Sequence, residues 1–110
     1  MNISGIEVGH GCRPFIVAEL SANHLGSLAR AEALIGSARS AGVDAVKLQI
    51  FDPERMAIRR GGSLDAVCTE PPWVGRKFLD LYNEAWMPMG WWRHLSKLHS
   101  CMFASVFDVE

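Results

Sequence analysis

Residues 44–51 read Asp44-Ala45-Val46-Lys47-Leu48-Gln49-Ile50-Phe51, an apolar run broken at Lys47 and again two residues later at Gln49. Side chains alternate between the two faces of a β-strand. An extended backbone here puts Val46, Leu48 and Ile50 on one face and Ala45, Lys47 and Gln49 on the other. The β-branched and aliphatic content predicts a strand buried on its first face. The second face then carries an ammonium and an amide close to the strand's C-terminal end.

Upstream, Pro14 introduces Phe15-Ile16-Val17-Ala18-Glu19-Leu20, a second apolar run suited to a strand. Ser21-Ala22-Asn23-His24-Leu25-Gly26 is a polar turn, and Ser27 is placed to cap a helix. Leu28, Ala31, Leu34, Ile35 and Ala38 recur at helical spacing and form one apolar stripe. Gly42 sits where a left-handed helix end is expected. Strand, helix and strand with short joints make a parallel βαβ unit, whose crossover is right-handed. Ahead of it, Ile3 to Gly11 alternates weakly and is rich in glycine, which predicts a short hairpin or arm within residues 1–13.

Downstream, Asp52 to Gly75 contains Gly61-Gly62 and Pro71-Pro72 and is expected to be a long irregular connection of the functional-loop kind. Arg59-Arg60 lies inside it and reads as a solvated pair. Phe78, Leu81, Tyr82 and Ala85 mark a helix stopped near Pro88. Trp91, Leu95 and Leu98 continue the periodicity in a further short helix, and Cys101 to Phe107 predicts a third strand.

Strands in sequential order with helical crossovers point to a singly wound α/β barrel, of which residues 14–110 would supply the first three strands and their helices. Three parallel strands alone leave both sheet edges unpaired. The expectation is therefore the N-terminal portion of a TIM (β/α)8 barrel, marginal as a lone domain.

Composition bounds the partners. The 110 residues are 49% hydrophobic and 21% charged with a formal net charge of −1, the balance of an ordinary globular chain. That balance provides no electrostatic footprint for nucleic acid or an acidic membrane surface. Cys12, Cys68 and Cys101 are scattered without CxxC spacing, against both a disulfide framework and a structural zinc site. Met1 to Gly5 lacks the basic-then-apolar pattern of a secretory signal, and no apolar run is long enough to span a bilayer. A cytoplasmic location is expected. The chain holds no GxGxxG, P-loop, GxSxG or HExxH motif, which weighs against dinucleotide, nucleotide, esterase and zinc-protease chemistry.

Candidate chemistry concentrates at the strand ends. A lysine projecting into a half-buried lumen is costly unless an anion compensates it. An anionic substrate and a structural carboxylate both remain open as partners of Lys47. Glu19, near the end of the first strand, is placed to act as acid or base, to accept from substrate hydroxyls, or to pair with Lys47. Ser105 on the third strand is positioned to donate to a phosphate oxygen, or is a small residue at the core edge. Asn23 and His24 follow the first strand on the loop that would rim the site. The four tryptophans, Trp73, Trp86, Trp91 and Trp92, are expected mostly to pack helices.

Two blocks, Phe15-Ile16-Val17-Ala18-Glu19-Leu20-Ser21-Ala22-Asn23-His24 followed by Gly26-Ser27, and Ala41-Gly42-Val43-Asp44-Ala45-Val46-Lys47-Leu48-Gln49, resemble the opening of sialic acid synthases. The Glu-Leu-Ser-Ala-Asn-His version is most similar to the pseudaminic acid synthase branch. Leu81-Tyr82-Asn83-Glu84-Ala85 and Phe103-Ala104-Ser105-Val106-Phe107-Asp108 fit later landmarks of the pattern. Trp86-Met87-Pro88-Met89 stands where the family usually has His-Thr-Pro-Trp, and Val106-Phe107-Asp108 replaces the commoner Ser/Thr-Pro-Phe.

The resemblance implies a TIM barrel preceded by a hairpin, condensing phosphoenolpyruvate with an N-acetylated amino sugar. It also implies a divalent metal (Mn or Mg) whose ligands are not in this chain, a homodimer, and a C-terminal antifreeze-like domain outside this sequence. Carried over by position, Lys47 would hold phosphoenolpyruvate and Gln49 the amino sugar. Glu19 would contact the reacting centre, Asn23 would bind substrate, and Ser105 would lie by the phosphate. Neuraminate and legionaminate synthases are the alternatives within the family, and a non-catalytic remnant or interaction module is the alternative outside it.

Overall fold

The computed structural model describes residues 1–107; Asp108, the last residue of the matched third-strand block, lies outside them. Two short strands, β1 (Asn2–Ile3) and β2 (Ile6–Glu7), pair antiparallel around Ser4 and Gly5. Both turn residues have positive φ, 48° and 88°, the geometry a two-residue hairpin needs to match strand twist. The expected hairpin is present, with its strands ending at Glu7.

The main sheet is β3 (Val17–Glu19), β4 (Ala45–Ile50) and β5 (Met102–Val106), all parallel, in the order β3-β4-β5. β3 is shorter than its apolar run suggests, although the Leu20 N–H still donates to the Lys47 carbonyl at 3.0 Å. Among the described residues four helices accompany the sheet: α1 (Leu28–Ser40), α2 (Pro53–Gly61), α3 (Phe78–Ala85) and α4 (Met89–Leu95). Sequential parallel order with helical crossovers is compatible with the opening of a TIM barrel.

α1 begins and ends where its sequence signals lie. The Ser27 side chain accepts from the Arg30 N–H. At the other end, Gly42 (φ 80°) donates its N–H to Arg39 and Val43 donates to Ala38, the paired bonds of a Schellman stop. The stripe Leu28, Ala31, Leu34, Ile35 and Ala38 packs with Val46, Leu48 and Ile50 of β4 in one core that also holds Leu95 and Met87. Trp91, Trp92, Met102 and Ala104 pack against the same core. One face of the sheet is thus covered by α1 and α4.

The 52–75 connection differs from expectation, because its first part is helical. Asp52 accepts from the Arg55 N–H as N-cap, Pro53 opens the helix, and Gly62 ends it in the left-handed region (φ 83°). These are ordinary start and stop signals, obscured by low apolar content; only Pro53 and Ala57 of α2 are buried. Arg59 and Arg60 are consequently the helix's last turn. Arg59 donates to the Phe107 carbonyl at 2.6 Å, and Arg60 reaches Glu70 at 3.4 Å with its guanidinium 6.0 Å from the Phe78 ring centre.

The N-terminal segment is clamped to the sheet at Asp44. Arg13 donates from both terminal nitrogens to its carboxylate, at 2.8 and 2.6 Å, and the Ile16 N–H adds a third bond at 2.8 Å. These three donors to one carboxylate hold Asp44 down at about 2. Among the described residues no helix is long and apolar enough to cross a membrane.

Candidate functional site

Parallel register carries the alternation of β4 to its neighbours. Glu19 pairs with Lys47, Lys47 with Phe103, and Gln49 with Ser105. Directly paired residues project to the same side of a sheet, so Glu19, Lys47, Gln49, Phe103 and Ser105 share the face turned away from α1 and α4. Four residues singled out from the sequence are thereby brought together. Phe103 was missed, although its two-residue spacing from Ser105 was the available signal; its ring lies 6.4 Å from that of Phe15.

The Lys47 ammonium lies 2.6 Å from Glu19 Oε2, and the two side chains are 38% and 34% exposed. The structural-carboxylate partner left open for Lys47 is therefore realised, by the residue read as a candidate acid or base. The arrangement supplies a cation with donors to spare, a carboxylate that can accept hydroxyl protons, an amide and a hydroxyl. Gln49 and Ser105 are half-buried beside it. Such a surface can orient a small anion and a polyol.

Asn23 is not part of this cluster. It is exposed on the loop after β3 and lines a groove of about 680 Å³ with Leu25, Arg60, Trp73, Phe78 and Tyr82. Trp73 is 52% exposed there, and Trp86 is also exposed, so only Trp91 and Trp92 follow the core-packing expectation. Next to Asn23, His24 is neither solvated nor free. It is 2% exposed, its Nδ1 accepts from the Gly26 N–H at 3.0 Å, and its ring meets Trp91 edge-on at 5.5 Å. Burial lowers its pKa, which keeps the ring neutral and the turn intact.

Cys68 and Cys101 are buried and Cys12 is exposed, all as free thiols. Among the described residues no three His, Cys, Asp or Glu side chains converge on a point that would hold a metal ion. The one carboxylate of the cluster, Glu19, is engaged by Lys47. These residues do not fit the implied divalent metal.

No family model matches the chain. Over 77 residues, 70% of its length, it is 40% identical to the pseudaminic acid synthase of Campylobacter jejuni, of which it covers 22%. It is 31% identical over 95 residues to the pseudaminic acid synthase of Helicobacter pylori, matching 86% of this chain and 28% of that protein. It is 48% identical over 54 residues to the spore coat polysaccharide biosynthesis protein SpsE of Bacillus subtilis, which is 49% of this chain and 14% of that one. The chain therefore spans less than a third of the length of these curated relatives. With pseudaminic acid synthases matched at 31–40% identity over 70–86% of its length, the chain belongs to the sialic acid synthase family, on its pseudaminic acid synthase branch.

Proposed function

We propose that this chain forms the first three strands of a TIM-barrel synthase that condenses phosphoenolpyruvate with an N-acetylated amino sugar, giving a pseudaminic-acid-like nonulosonic acid. The observation that carries the reading is the Lys47 ammonium on the sheet face turned away from α1 and α4, beside Gln49 and Ser105 and paired with Glu19. The names of the relatives support the sugar class, over the part of their length that this chain matches.

In this reading Lys47 holds the phosphoenolpyruvate anion and Ser105 donates toward its phosphate. Gln49 hydrogen-bonds the amino sugar, Glu19 contacts the reacting centre, and Asn23 contacts the sugar from the rim loop. The enol carbon attacks the sugar's aldehyde carbon, whose oxygen takes up a proton. Water adds to the resulting cation, and phosphate leaves to give the keto acid. Mutual orientation of the two substrates is what the strand-borne groups contribute. A divalent cation, Mn or Mg, is part of the same proposal, and no donor set among the described residues fits it. A homodimer in the cytoplasm completes the proposal.

A form of the protein spanning the whole barrel is expected to release phosphate from phosphoenolpyruvate only when both an N-acetylated amino sugar and a divalent metal are present. A panel of amino sugars separates the pseudaminic reading from the neuraminate and legionaminate ones. No release with any sugar would leave the non-catalytic remnant. Lys47→Ala is expected to weaken phosphoenolpyruvate binding, and an unchanged affinity would remove Lys47 from the site.

A further inference from the structure

We propose that Glu19 is a built-in counter-anion: its carboxylate occupies the Lys47 ammonium until substrate arrives, and a small phosphorylated carboxylate binds by displacing it. Glu19 thereby sets how tightly the site takes an anion. This rests on the assignment of Lys47 as the anion-holding group.

Three observations lead here. Glu19 and Lys47 are directly paired across β3 and β4, so their 2.6 Å contact is dictated by strand register and does not depend on a chance meeting of surface rotamers. Lys47 is the only cation and Glu19 the only anion among the described residues on that face of the three strands, where Val17, Ala45, Gln49, Phe103 and Ser105 complete the set. The face is therefore electrically neutral before any ligand binds. Both side chains are about two-thirds covered, which strengthens the attraction within the pair and the repulsion between Glu19 and an incoming anion alike.

An ammonium has three donors, and one is spent on Glu19. Gln49 and Ser105 add neutral donors but no charge. The two remaining ammonium donors can meet an entering anion, but the ammonium's charge is already matched by Glu19, so the anion competes with the carboxylate for it and the carboxylate swings aside on its own single bonds. Glu19 is in this respect a positioning residue, acting on the anion through Lys47.

The test is the affinity for phosphoenolpyruvate, measured by calorimetry on the full chain at fixed metal concentration with no amino sugar present. Glu19→Gln keeps the shape and removes the charge, and is expected to tighten binding about fivefold, the upper range for a partly exposed ion pair. Glu19→Ala should tighten it in the same direction, which separates a charge effect from a packing defect. In a Lys47→Ala background the gain from Glu19→Gln should shrink to what direct repulsion of the anion contributes, an outcome a merely structural role for Glu19 would not produce. If Lys47→Ala weakens binding while Glu19→Gln leaves it unchanged or weaker, the counter-anion idea is overturned and the Lys47 assignment survives. If Lys47→Ala changes nothing, the Lys47 assignment itself falls, and this inference with it.

Discussion

Gln49 and Ser105 face one another across β4 and β5, two residues beyond the Lys47–Phe103 pair and on the same side of the sheet. The amide and the hydroxyl thus flank the ammonium toward the C-terminal ends of the strands, where barrel enzymes assemble their sites. Under the proposed function, Gln49→Ala removes hydrogen bonds to the amino sugar and should raise its KM about tenfold, with a smaller effect on the KM for phosphoenolpyruvate. Ser105→Ala should show the reverse preference. Steady-state kinetics with each substrate varied in turn would sink the assignment if both variants affected the same substrate equally.

Gly61 ends α2 against Ala66 and Phe78. A Cβ added there would overlap the Ala66 Cβ and stand 2.9 Å from the Phe78 ring, too close for any side chain without movement of its neighbours. Gly61→Ala is expected to destabilise the fold by about 1–3 kcal/mol through overpacking. It should also disturb the groove lined by Phe78. Chemical denaturation of the variant checks this, and an unchanged midpoint would show that α2 does not hold this position against α3.

His24 supplies a pH dependence. Its pKa is lowered because the ring is buried, and protonating Nδ1 would also remove the acceptor for the Gly26 N–H. The unfolded chain therefore takes up the proton first, and stability should fall as pH drops below about 6.5, the ordinary histidine value. Melting temperatures at pH 7.5 and 5.5 should differ more for the native sequence than for His24→Gln. Equal differences would mean that another group controls that range.

Asp44 acts in a different window. Held at about 2 by Arg13 and the Ile16 N–H, its carboxylate favours the folded state at every pH above the ordinary carboxylate range. That contribution is lost as pH falls from about 4 toward 2. Asp44→Asn should lower the melting temperature at neutral pH, and the gap to the native sequence should narrow across that acidic interval. A gap that stays constant down to pH 2 would show that the ionised carboxylate is not what clamps the arm.

Helix α1 allows a simpler check. Ser27→Ala removes the acceptor for the Arg30 N–H and should cost about 1 kcal/mol, while Ser27→Asp should restore most of it. Thermal melts of the two variants decide between a cap and an incidental contact.

The sequence by itself determined whatever depends on neighbours along the chain. Alternation in residues 44–51 separated Lys47 and Gln49 from Val46, Leu48 and Ile50, because successive Cβ atoms of an extended backbone must point to opposite sides. Ser27 and Gly42 marked the ends of α1, because caps satisfy backbone groups only a few residues away. The same class of signal stood at Asp52-Pro53 and at Gly62, but α2 has too few apolar residues for periodicity to announce it. Only the tertiary structure decided among the readings of Glu19, by setting it against Lys47, and decided that His24 lies under Trp91 and that Asn23 faces a groove with Trp73 and not the strand cluster. Those contacts join residues far apart in the chain. Their formation depends on how strand register and helix packing close the fold, and no local spacing encodes that.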